Sequence, residues 1–101
     1  MIVPAEEMRK YSSDALMPRY TKRYTHYLKK IMRKIKRRSK RGLYLCTDIY
    51  GYLDQLELKA MKDVMTTLIA VGYKGKYRVI EENLGSEIFY KISFVFTWDA
   101  A

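Results

Sequence analysis

Near the C-terminus apolar side chains take every second position without a break: Ile88, Tyr90, Ile92, Phe94, Phe96 and Trp98. A period of two puts all six on one side of an extended chain, so a strand with one buried face is expected over 87–98. Asn83, Leu84, Gly85 and Ser86 before it have turn chemistry, and 77–82 supplies the partner strand of a hairpin. Over 55–71 the period lengthens. Leu58, Met61, Val64, Met65, Leu68 and Ile69 gather on one side of a helix and leave Lys59, Lys62, Asp63, Thr66 and Thr67 outside. Asp54 and Glu57 have the spacing of a capping box and Gly72 follows the last turn, so both ends of this helix are marked.

Upstream, Tyr20, Tyr24, Tyr27, Leu28, Ile31 and Ile35 trace one helical stripe, which predicts a long helix over 19–40 that Gly42 stops. Residues 43–50 are rich in β-formers and aromatics and read as a strand ended by Gly51. A short helix is expected over 4–11, with Pro4 at its first position and Glu6 and Glu7 at the positive end of its dipole. Ser12, Ser13 and Asp14 interrupt it, and Pro18 disfavours helical geometry at Met17. The order helix, helix, strand, helix, strand, strand predicts a single small α+β domain over 1–101, with two to three helices packed on a small antiparallel sheet that ends in the C-terminal β-hairpin. Its parts are an N-terminal short helix or arm (4–17), a basic amphipathic helix (19–41) and a strand–helix–hairpin body (43–98). The expected core sets Ile88, Tyr90, Ile92, Phe94 and Phe96 of the sheet against Met61, Val64, Met65, Leu68 and Ile69 of the helix.

Charge changes this picture from a generic small domain to a lopsided one. The 101 residues carry a formal charge of +9, yet 14 of the 20 basic residues and one acid, Asp14, lie in 9–41. That third of the chain is at +13, while 1–8 and 42–101 are each at −2. The expectation is a basic helix attached to a nearly neutral body, unlike an even scatter of lysine for solubility. No run approaches the roughly 20 apolar residues of a membrane-spanning helix, and MIVPAEEMRK has acids where a signal peptide is basic and then apolar. One cysteine, Cys46, forms no internal disulfide and suits a reducing cytoplasm.

Catalytic chemistry finds little to work with. His26 is the only histidine and lies among Tyr24, Thr25 and Tyr27, the setting of a surface or boundary residue. Cys46 has no histidine beside it and reads as a buried thiol. Glu81 and Glu82 are neighbours on a strand and so point to opposite faces, while Asp48 and Asp54 suit turn and cap positions. The chain has no phosphate-binding glycine loop, no zinc-protease helix and no serine elbow, and one His with one Cys makes no structural zinc site. The expected protein is non-enzymatic, with no cofactor and no metal.

Nine of the 13 residues from Lys29 to Arg41 are Lys or Arg, a density that costs stability through repulsion along the helix and that a polyanion would offset. The candidate binding residues are Arg19, Lys22, Arg23, Lys29, Lys30, Arg33, Lys34, Lys36, Arg37, Arg38, Lys40 and Arg41. They support phosphate contact without base-specific readout, with DNA preferred to RNA as the partner. The competing partner is an acidic protein surface. A membrane surface fits less well, because the apolar stripe is tyrosine and β-branched and is needed for the core. Ten tyrosines leave room for a dimer face.

Residues 43–96 resemble a winged helix: 43–45 would be the small first strand, 47–53 a short helix, 56–71 the recognition helix running into Gly72-Tyr73, and 77–96 the wing with its tip at Leu84-Gly85-Ser86. Gly51 in the middle of the short helix departs from that pattern, as does the weakly basic outer face of the second helix. The whole chain also resembles a recurrent type of small tailed-phage protein. The matching features are Ala5-Glu6-Glu7-Met8-Arg9 at the start, a long amphipathic helix (Ile31, Ile35) ending in Gly42, Leu68 before a Gly72-Tyr73 junction, and a last strand with Ile92-Ser93 and Trp98. Members of this kind mostly lack an assigned role, so the resemblance implies a phage origin and a host-cell cytoplasmic setting more than an activity. The basic long helix departs from their usual acidic or balanced version. With a phage origin, the competing role is to bind an acidic surface of a host protein and block or redirect it, and a third is a small virion component that touches packaged DNA.

Overall fold

Strict alternation in the last strand and the capped helix before it both take the form their patterns demand, and the remaining chain packs around them. The computed structural model describes residues 2–99. Its elements are α1 (Ala5–Lys40), β1 (Leu45–Leu53), α2 (Gln55–Ala70), β2 (Lys74–Leu84) and β3 (Glu87–Thr97), an α+β domain. β2 and β3 form the hairpin, joined by Gly85 and Ser86 with Gly85 at φ +68°. β1 pairs with the other side of β3, so the sheet order is β1-β3-β2 and both pairings are antiparallel. The two edge strands are therefore parallel to each other, with α2 as the crossover between them. Both helices cover one face: α2 touches all three strands, and α1 lies against α2 and β1. The core joins Tyr27, Ile31 and Ile35 of α1 to Met61, Val64, Met65 and Leu68 of α2 and Ile92, Phe94 and Phe96 of β3.

β2 runs over 74–84 rather than 77–82, which shortens the expected turn of 83–86 to Gly85 and Ser86, and larger departures from expectation lie in three places. First, α1 is one helix of 36 residues, with no break at Ser12–Asp14 and with Pro18 inside it. Pro18 is exposed, so water can reach the Asp14 carbonyl that loses its partner amide. The turns upstream are mostly good helix formers that extend a helix already anchored from Tyr20 onward. Pro4 serves as the N-cap rather than the first helical residue, its carbonyl accepting from the Glu7 and Met8 amides.

Second, β1 begins at Leu45 and does not stop at Gly51. Tyr50 pairs with Ile92 and Leu53 with Tyr90, so β1 carries one extra residue in a bulge where Tyr52 has φ +56°. The bulge turns Leu53 into the core and delivers Asp54 to the start of α2, where the full capping box forms. With 47–53 extended, the short helix required by a winged helix is absent and α2 lies on a sheet.

Third, Ile88 and Ile69 are about half exposed. Ile88 sits near the hairpin tip, opposite Asn83, and the face of α2 centres on Ala60, Met61, Val64, Met65 and Leu68, with Ile69 turned out.

Gly75 permits a close approach. It pairs with Phe96, and a β-carbon there would sit 2.2 Å from the Val95 carbonyl oxygen and 2.4 Å from the Phe96 ring. Because one of these neighbours is backbone, Gly75→Ala is expected to cost about 1–3 kcal/mol. Chemical denaturation should show this as a lower midpoint with an unchanged slope.

Candidate functional site

Helical geometry divides the twelve candidate cations into two sets. The first is Arg19, Arg23, Lys30, Lys34 and Arg38, which with Tyr27 recur every three or four residues along one flank of the apolar stripe. That flank faces the body. Arg19 pairs with Asp54 at 2.6 Å, Arg23 approaches Glu57 at 3.7 Å and Lys34 pairs with Asp48 at 3.1 Å. Lys30 lies 5.0 Å over the Tyr50 ring. Lys34 also donates to the Thr47 carbonyl at 3.0 Å and Arg38 to the Leu45 carbonyl at 2.5 Å. The Tyr44 carbonyl accepts from Trp98 at the end of β3, so Leu45 and Thr47, out of phase with it, point their carbonyls to the open side of β1. Two long cationic side chains thus guard one edge of the sheet. Burial works against ionisation of Asp48, but the Ile49 amide and the Lys34 ammonium outweigh it and hold its carboxyl below the usual range.

The second set is Lys22, Lys29, Arg33, Lys36, Arg37, Lys40 and Arg41, all exposed and none in an ion pair among the described residues. Lys22, His26, Lys29, Arg33, Lys36 and Lys40 follow one another at spacings of four, three, four, three and four, which makes a single ridge opposite the core. At 1.5 Å per residue the ridge is about 27 Å long. Arg37 and Arg41 flank it on the side toward β1. His26, treated from sequence as an isolated histidine, is a member of this row, and the spacing alone places it there.

The tyrosines of the stripe serve the helix–helix contact. Tyr20 donates to the Asp63 carboxylate, Tyr24 and Thr67 share a hydrogen bond of 2.7 Å, and Tyr27 donates to Glu57 at 2.9 Å. Asp63 and Thr67, expected outside, are therefore half-buried against α1. The bond to Asp63, then burial, pushes Tyr20 up to about 12, and burial together with the Asp48 carboxylate pushes Tyr50 up to about 12. Burial first, then the bond to Glu57, moves Tyr27 the same way. An unfolded tyrosine ionises near 10, so this stabilisation is complete below pH 10 and is lost as pH rises from 10 through 12. Unfolding free energies measured by circular dichroism across that range should fall steeply, and Tyr20→Phe and Tyr50→Phe should each flatten the fall.

The remaining chemistry-bearing residues are dispersed. Cys46 is fully buried and burial pushes its thiol up. Glu82 pairs with Lys91 at 2.8 Å while Glu81 is exposed, Asp54 caps α2, and Asp48, expected in a turn, lies inside β1 opposite Phe94. Among the described residues no group of three or more His, Cys, Asp or Glu is placed to hold a metal ion, and no helix is long and apolar enough to cross a membrane. A further set of cations escaped the sequence reading: Lys74, Lys76 and Arg78 alternate along β2 on the face of the sheet that carries no helix, beside Ile49, Val95 and Ile80. Their signal was the period of two in Lys-Gly-Lys-Tyr-Arg. Comparison of the chain with protein-family models, with curated proteins and with solved structures finds no match.

Proposed function

We propose that this protein is a non-enzymatic nucleic-acid-binding protein, of tailed-phage origin and acting in the host-cell cytoplasm, that grips the phosphate backbone with the outward ridge of α1. The observation that carries this reading is the division of the basic helix: five cations are used on the body, and seven stand on solvent without an ion pair among the described residues. A row about 27 Å long matches roughly eight base-pair steps at 3.4 Å each. α1 contains no Asn or Gln, the side chains suited to adenine edges, and the ridge is Lys and Arg with one His. Binding through it is sequence-independent, and duplex DNA, with the higher charge density, is preferred to single-stranded RNA.

Fluorescence anisotropy with labelled duplex DNA and single-stranded RNA at low and moderate salt tests this. Five to seven phosphate contacts give a log–log slope of about −5 to −6 on duplex DNA, so a fourfold rise in salt should weaken binding by about a thousandfold. Absence of binding at low salt would overturn the proposal and leave an acidic protein surface as the partner that the same ridge fits.

A further inference from the structure

The two edges of the sheet are treated differently. β1 has Lys34 and Arg38 on its outward carbonyls, whereas among the described residues β3 is the only strand beside β2 and no side chain is seen to donate to the outward carbonyls over 75–83. Leu84 and Glu87 flank the two-residue turn and form a hydrogen-bonded pair, so the even-numbered residues of β2 bond to β3. The odd-numbered residues Gly75, Tyr77, Val79, Glu81 and Asn83 accordingly turn their amides and carbonyls outward. Among the described residues no strand pairs with this ladder.

We infer that this edge pairs with the same edge of a second copy, antiparallel about a two-fold axis near Val79, to make a continuous six-stranded sheet. Charge selects the occupant. Along β2 the cations Lys74, Lys76 and Arg78 fill the first half, and Glu81 and Glu82 lie in the second. Antiparallel self-pairing centred on Val79 sets Lys76 opposite Glu82 and Tyr77 opposite Glu81, with Val79 meeting its own copy. Moving the axis to Ile80 sets Arg78 opposite Glu82. In both registers a cation meets Glu82 across the seam, joining Lys91 of the same chain at 2.8 Å on that carboxylate, on the face that carries no helix, where opposite charges contribute most when directly paired. A parallel copy would stack lysine on lysine and glutamate on glutamate. Lysines on an edge normally keep strands apart, but an edge whose signs are segregated along its length admits one partner, its own inverted copy. Tyr77 and Val79 line the seam on the helix side, and Tyr77 is 38% exposed in the single chain, so pairing covers it.

The test is sedimentation equilibrium of the full chain and of two charge variants, Lys76→Glu/Arg78→Glu and Glu81→Lys/Glu82→Lys. The wild type should show a concentration-dependent monomer–dimer equilibrium. Each variant alone should be monomeric at concentrations where the wild type is dimeric, since like charges then face each other across the seam. An equimolar mixture of the two should recover a heterodimer, which also shows that both fold. A wild type that stays monomeric at high micromolar concentration would overturn the inference, as would a dimer that persists in both variants, because its interface would lie elsewhere.

Discussion

Changing Lys22, Lys29, Arg33, Lys36 and Lys40 together to Gln should remove most of the salt-dependent component of nucleic-acid binding. Each phosphate contact removed takes about 0.9 from the slope of log affinity against log salt, so five losses take about 4.5 from a slope of about −5 to −6 and lower affinity at low salt by about a thousandfold or more. The fold should be unaffected, because all five side chains are exposed and none is in an ion pair among the described residues. If anything the helix becomes more stable, since repulsion between like charges three and four residues apart is relieved. The matched comparison is Arg19, Arg23 and Lys34 changed to Gln, which removes ion pairs to Asp54, Glu57 and Asp48. These pairs are partly exposed, so that variant should lose about 1–2 kcal/mol of stability in total and keep most of its salt slope. Anisotropy titrations beside denaturant melts of the two variants separate charges that hold the fold from charges that hold a partner. Equal loss of binding in both would mean that net charge, and not the ridge, attracts the polyanion.

The largest effect on stability is expected at Phe96. The ring is fully buried, contacts Phe94 at a centroid distance of 5.6 Å and lies against the β2 backbone at Gly75. Phe96→Ala removes the biggest fully buried side chain and leaves a cavity under the end of the central strand, at a cost of about 3–5 kcal/mol. Domains of this size hold about 5–15 kcal/mol in all, so the variant should unfold at far lower denaturant and show a depressed or absent thermal transition. Combining it with Gly75→Ala should cost less than the two changes separately, because the ring is one of the atoms the new β-carbon would strike. The saving is partial, since the Val95 carbonyl stays in place.

Residues with a single dominant neighbour set were legible in the sequence. Ile92, Phe94 and Phe96 alternate because one face of β3 is buried along its C-terminal half, and Asp54 with Glu57 caps α2 through contacts three residues apart. Features decided over longer range were not. Pro18 is a helix breaker by local rules, and only its exposed position and the anchoring of the turns after it let α1 continue. Gly51 reads as a stop, yet β3 runs alongside and absorbs it in a bulge. The candidate site was half legible. The stripe of Tyr24, Ile31 and Ile35 says which cations oppose the core, and this picks out Lys22, Lys29, Arg33, Lys36 and Lys40. Which flank of the stripe the body would occupy is a property of where β1 lands, so the engagement of Arg19, Lys30, Lys34 and Arg38 could not be read from the helix itself.

The guarded edge of β1 has a consequence for assembly. A sheet with two adhesive edges behaves like a bifunctional monomer in polymer chemistry, in which each addition exposes a new growing end and the product is a fibre. Lys34 and Arg38, seated on the Thr47 and Leu45 carbonyls, remove one of those functions. What is left is a monofunctional unit. In the two-fold pairing inferred above, a second copy would consume both β2 edges and leave only guarded β1 edges outside, so propagation would terminate at that step in a closed, countable product.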